Sequence, residues 1–134
     1  MLTVAAAIIE RDGCILAARR SSGHLAGYWE FPGGKLEGDE IPEECLKREL
    51  EEELGVVTEV GQFIGETLYN YDGMIVKLLG YATKHINGEF QLTVHDEIRW
   101  LPVEDLLTLE WAPADIPLVK RIANFRSGED KKTK

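Results

Sequence analysis

The chain opens on an unbroken apolar run, Leu2 to Ile9, then a turn pair, Asp12-Gly13, then a second apolar run from Cys14 to Ala18. Two buried strands joined by a tight turn produce this pattern, so the start is predicted to be a hairpin. Periodicity disappears from Arg19 to Tyr28, a loop rich in Ser, Gly and His. Trp29 to Gly38 is short, aromatic and glycine-rich around Pro32-Gly33-Gly34. The period then changes. Leu46, Leu50 and Leu54 recur at the spacing of one helix face. Pro42 suits the first helical position, Glu43 and Glu44 suit the first turn, and Gly55 suits the stop. Val57 to Tyr69 and Met74 to Thr83 are predicted strands around the turn Tyr71-Asp72-Gly73. Ile86-Asn87-Gly88-Glu89 reads as another turn, Ile98 to Leu101 as a short strand and Pro102 to Leu107 as a short helix. A final helix is expected over Ile116 to Phe125, with Ile116, Val119, Ile122 and Ala123 apolar. Strands and helices mix without regular βαβ alternation. That predicts an α/β protein of the α+β type, a mixed sheet with helices packed on it. Residues 1–126 form the expected single domain, and 127–134 a polar, charged tail expected to fray.

Composition narrows the function. With 134 residues and 44% hydrophobic content, one packed domain is expected rather than disorder. The net charge of -9 excludes a sequence-independent nucleic-acid binder, which needs a basic surface. It also repels an anionic substrate, unless a divalent cation bridges the two. Cys14 and Cys45 lack metal-ligand spacing and read as reduced thiols in packing roles. Met1 to Glu10 has no basic leader and is too short for a membrane span, so a cytoplasmic protein without membrane contact is expected.

The densest chemistry lies on the predicted helix. At about 100° per residue, Glu49, Glu52 and Glu53 project from one side, beside the leucine seam. Glu43, Lys47 and Glu51 fall on another arc, open to water. Three carboxylates crowded against apolar surface repel one another and lose hydration. Protons, arginines or a metal must compensate, and Arg48 alone cannot balance three charges. An all-oxygen donor set suits magnesium or manganese.

The run Gly34-x5-Glu40-x7-Arg48-Glu49-Leu50-x-Glu52-Glu53-x-Gly55-Val56 resembles the Nudix box at every fixed position. Trp29 to Lys35 resembles the MutT-type branch of that family, which hydrolyses nucleoside triphosphates. Val4 to Gly13 and Trp111 to Pro117 look like its CTP and oxidised-nucleotide pyrophosphohydrolases. The resemblance implies a mixed sheet between helices, with the box as loop, helix and loop. It implies Mg²⁺, with Mn²⁺ as a substitute, held by Glu49, Glu52 and Glu53 with the Gly33 carbonyl. It further implies that Arg48 orients Glu49 and that Glu40 supports the loop. The expected substrate is a nucleoside triphosphate, cut to a monophosphate and pyrophosphate by a monomer or homodimer. ADP-ribose, a nucleotide sugar, or a non-catalytic binding role are the alternatives.

Two positions depart from the pattern. Ile41 stands where Ser or Thr often caps the helix, and Val94 stands where a further glutamate is common. Asp96 or Glu97 is expected to supply that extra carboxylate, with Glu97 as the assigned metal ligand. Arg20, His24 and Lys35 are expected nucleotide contacts, the alternative for the first two being a solvated basic turn. Asp115 is either the cap of the last helix or the residue that reads the base edge. As an ionised acceptor it would favour a base with an exocyclic amine. His85 and His95 read as surface residues, and Phe31, Tyr69 and Tyr71 as core or stacking aromatics. No Ser-His-Asp or Cys-His arrangement points to covalent catalysis.

Overall fold

A computed structural model describes residues 1–132, with side chains through residue 124. The predicted hairpin forms from β1 (Leu2–Arg11) and β2 (Cys14–Arg20). Its turn holds Asp12 and Gly13 at positive φ, 52° and 79°, as a two-residue hairpin turn demands. The two strands pair only near the turn, at Glu10–Ile15 and Arg11–Cys14, and then part. The chain from Trp29 to Lys35 enters the gap. Its β3 (Trp29–Glu30) pairs with the far end of β2, and its β4 (Gly33–Lys35) with the early half of β1. On its other edge β1 runs parallel to β6 (Met74–Asn87), which pairs antiparallel with β5 (Val57–Tyr71). β7 (His95–Pro102) covers the outer edge of β2. The result is the expected mixed sheet.

Helices cover both faces. Alternation along β1 sends Ala5, Ala7 and Ile9 to one side, where they pack with Leu46, Leu50 and Leu54 of α1 (Pro42–Leu54). Ala6 and Ile8 point the other way, to Leu118, Val119 and Ile122 of α2 (Ile116–Lys132). The alanines keep both helices close to the strand. All three seam leucines are fully buried, as their spacing predicts, while Glu43, Lys47 and Glu51 are exposed. Gly55 ends α1 in the left-handed conformation. Ile41 offers no capping oxygen, and Glu44 Oε1 instead accepts the Ile41 N–H at 3.2 Å.

Several boundaries differ from expectation: β1, β2 and β5 each run two residues further, and β6 continues to Asn87, into the predicted turn. β7 begins at His95, three residues before the apolar run at Ile98. The short helix is a 3-10 turn over Val103–Thr108. α2 runs beyond Phe125 to Lys132, and residues 133–134 of the expected tail lie outside the described residues.

Candidate active site

The box folds as a loop and helix whose side chains meet beside β4. Arg48 is the hub. Its Nε and Nη2 donate to the two Glu40 oxygens at 2.7 and 2.9 Å. Its Nη1 donates to Glu49 Oε1 at 2.8 Å and to Glu52 Oε2 at 3.3 Å. This fork holds the Glu40 carboxyl down to about 2, chiefly through the Arg48 hydrogen bonds and then through the Glu37 N–H. Glu49 is thereby fixed on the helix flank, and Glu40 ties the preceding loop to it.

Glu49 and Glu53 line a cavity of about 350 Å³ that also presents Gly33, Gly34, Lys35, Arg20, Glu30 and Asp115. Burial pushes the Glu53 carboxyl up to about 8, and a proton-sharing contact with Glu49 and the charges of Glu49 and Glu30 add to it. Among the described residues no three His, Cys, Asp or Glu side chains converge as a ready ligand set. Glu52 does not line the cavity; its side chain is 60% exposed and reaches Arg48. Two crowded carboxylates that raise the cost of ionising Glu53 are nonetheless a site where a hard cation could supply the missing positive charge. Gly34 leaves room for this pair, since a Cβ there would overlap the Glu49 carboxyl group. The donor set therefore fits a divalent metal.

Residues of β3 and of the segment before α2 also line the cavity. Trp29 N–H donates to Glu110 O, and Ala112 N–H to Trp29 O, which locks the two segments side by side. Ala114 is gripped from β5: its N–H donates to the Tyr71 hydroxyl at 2.9 Å, and its carbonyl accepts from Thr67 Oγ1 at 3.1 Å. Asp115 is thus turned inward, only 6% exposed. Its Oδ2 accepts the Phe31 N–H at 3.0 Å across the cavity wall rather than capping α2. Burial pushes its carboxyl up to about 8, against the pull of the Phe31 N–H. Burial thus favours the neutral acid over the ionised acceptor that residue type suggests. In this form it can also donate.

The remaining expected residues divide. Arg20 and Lys35 line the cavity. His24 lies outside it and meets the edge of Tyr71, a lining residue, at 5.4 Å between ring centroids. Glu97, expected as a metal ligand, is not among the residues that line the cavity. Its Oε2 accepts from Arg99 Nε at 2.6 Å and its Oε1 lies 3.5 Å from Arg19, while Asp96 accepts from Arg19 at 2.7 Å. Phe31 is buried against Trp111. His95, expected at the surface, is buried, because Glu30 gives its Nε2 a partner at 2.9 Å. Glu30 itself was missed. The signal was a lone carboxylate between Trp29 and Phe31, next to the Pro-Gly-Gly turn.

A family model for the NUDIX domain matches residues 1–122. The chain belongs to the Nudix family. This Nudix chain is 41% identical over 128 residues to the CTP pyrophosphohydrolase of Escherichia coli strain K12, covering 95% of each protein. It is 33% identical over 126 residues to the 8-oxo-dGTP diphosphatase of Haemophilus influenzae, covering 92% of this chain and 93% of that protein. The solution structure of the E. coli ORF135 protein superposes with a TM-score of 0.86 at 40% identity, over 96% of this chain and 92% of that one. The MutT protein crystal structure from Methanosarcina mazei Go1 gives 0.83 at 25% identity, over 93% and 94%. The Nudix fold expected from the box is therefore the fold observed. Among the described residues no helix is long and apolar enough to cross a membrane.

Proposed function

We propose that this Nudix chain is a magnesium-dependent pyrophosphohydrolase that cuts a nucleoside triphosphate to its monophosphate and pyrophosphate. CTP, dCTP and an oxidised nucleotide such as 8-oxo-dGTP are its foremost substrates. One observation carries the reading: a single cavity is lined by the Glu49–Glu53 pair and by the buried Asp115. The named activities of the two relatives support it. Glu49, Glu52 and Glu53 would hold the metal with the Gly33 carbonyl, and manganese would serve in its place. Bound there, the metal would neutralise phosphate charge and activate water. Arg48 keeps Glu49 in place. Arg20 and Lys35 bring cationic donors to the phosphates, with His24 at the outer edge.

Asp115 reads the base. Protonated, it presents one O–H donor while Oδ2 remains an acceptor, which suits the N3 and amino group of cytosine and also the altered edge of an oxidised purine. We place residues 1–126 in one catalytic domain, acting in the cytoplasm as a monomer or homodimer, with nucleotides rather than nucleic acid as partners. The test is turnover of CTP, dCTP, 8-oxo-dGTP, UTP, dTTP and ADP-ribose with product analysis. Cytosine and oxidised-guanine nucleotides should lead. Preference for UTP, dTTP or ADP-ribose would overturn the reading.

A further inference from the structure

Asp115 stands immediately before α2, where an aspartate ordinarily caps the helix. A capping carboxylate stays at the surface and keeps its water. Turned inward, the Asp115 carboxyl gives up that water for one hydrogen bond, from the Phe31 N–H. The start of α2 weakens the competing arrangement without removing it. A cap takes the N–H of the second or third helical residue. The second is Pro117, which has none, so Leu118 alone is left for a capping Asp115. An aspartate with these two choices needs its backbone held if it is to stay in the cavity.

Two hydroxyl groups of β5 supply that hold. Thr67 and Tyr71 are four residues apart on the strand and share a face. Thr67 Oγ1 donates to the Ala114 carbonyl at 3.1 Å, and the longer Tyr71 side chain places its hydroxyl where it accepts the Ala114 N–H at 2.9 Å. The peptide groups on both sides of Ala114 are therefore fixed, including the one that joins it to Asp115. The Tyr71 ring is packed in turn against Tyr69, at 4.6 Å between centroids, and meets His24 edge-on. Neither hydroxyl is needed for the sheet, because the β5 backbone pairs with β6 through both positions. Valine and phenylalanine would fill the same space.

We propose that Tyr71 and Thr67 are specificity-determining positioning residues: their hydroxyls hold the Ala114 backbone so that Asp115 faces the base instead of capping α2. This rests on the reading above, in which Asp115 distinguishes cytosine from uracil. The hydroxyls act through the backbone and need no contact with the substrate.

Two measurements test the proposal: kcat/KM for CTP and for UTP with magnesium, and hydrogen exchange of the Phe31 amide in the substrate-free protein by NMR. Tyr71→Phe and Thr67→Val should each lower the CTP-to-UTP ratio roughly 3- to 10-fold, as loss of one hydrogen bond does, and speed exchange at Phe31. Thr67→Ser, which keeps the hydroxyl, should restore both. Neither variant should lower the ratio further in the Asp115→Ala background. Thermal unfolding checks each protein, and if Thr67→Val does not fold, Tyr71→Phe decides. The proposal is overturned if Tyr71→Phe keeps the wild-type ratio, if CTP and UTP turnover fall together, if the Phe31 amide stays as protected as before, or if the losses add in the Asp115→Ala background. A wild-type protein that does not prefer CTP, or an Asp115→Ala variant that keeps the preference, overturns base reading by Asp115 and this proposal with it. Loss of preference in Asp115→Ala but not in Tyr71→Phe overturns this proposal alone.

Discussion

Gly33 and Gly34 are neighbours, yet adding one methyl group to each should have opposite consequences. At Gly34 the new Cβ would land on the Glu49 carboxyl group, 2.6 Å from Oε2 and 2.7 Å from Cγ. The obstacle is the end of a flexible side chain, so Glu49 swings away and the backbone stays. The fold then loses one Glu49–Arg48 hydrogen bond, while Arg48 keeps both Glu40 bonds. That should cost about 1 kcal/mol, or roughly 2–5 °C in Tm for a domain of this size. If Glu49 holds the metal as proposed, the site loses that carboxylate from its position, and turnover should fall about 10²-fold or more. At Gly33 the Cβ would strike the Ala5 carbonyl oxygen and lie 3.1 Å from Ala6 Cα. Those atoms belong to the central strand and cannot yield, and Gly33 also has φ of 156°. Gly33→Ala should therefore cost about 3 kcal/mol or more, at or above the usual range for overpacking. Urea midpoints and magnesium-dependent CTP turnover, measured on both variants, separate the two effects. Near-wild-type turnover in Gly34→Ala, or wild-type stability in Gly33→Ala, would refute the argument.

Glu53→Gln or Glu52→Gln should lower kcat roughly 10²-fold or more, whereas the exposed Glu51→Gln should leave steady-state kinetics nearly unchanged; equal damage at Glu51 would mean that the carboxylate face is misplaced. Asp115→Ala should erase the preference for CTP over UTP while metal-dependent turnover remains measurable, and a mutant that keeps the preference would place base reading elsewhere. Asp115 also sets a pH dependence. The folded protein holds this proton to about 8, whereas an unfolded aspartate releases it near 3.9, so ionisation favours unfolding and stability falls as pH rises between those values. Asp115→Asn should remove up to roughly 1.4 kcal/mol per pH unit of that slope in urea titrations of the metal-free protein, and an unchanged slope would contradict its assignment.

Much of this was legible in the sequence because it rests on short-range rules. The spacing of Leu46, Leu50 and Leu54, with Pro42 and Gly55 at the ends, defines α1 and so the face that carries Glu49 and Glu53. Asp12-Gly13 defines the first hairpin. What stayed hidden depends on partners remote in the chain. His95, Asp96 and Glu97 open β7 with polar residues, and only the contact with Glu30, sixty-five positions away, makes His95 an interior residue. The same separation hides Glu30. Asp115 before a helix suits a cap and a base reader alike, and the Phe31 N–H, eighty-four positions distant, decides its direction. The upward shift of its pKa follows from burial, which residue type alone does not reveal. Glu97 suits a metal ligand by type, and its ion pairs with Arg99 on β7 and Arg19 on the neighbouring β2 could not be read from the chain.

Phosphorus NMR of CTP incubated with the protein and magnesium in ¹⁸O-labelled water tests the central claim most directly. The account predicts CMP and pyrophosphate, with the label in pyrophosphate, no turnover in excess chelator, and recovery when magnesium is restored. CDP with orthophosphate, or undiminished turnover in chelator, would contradict it.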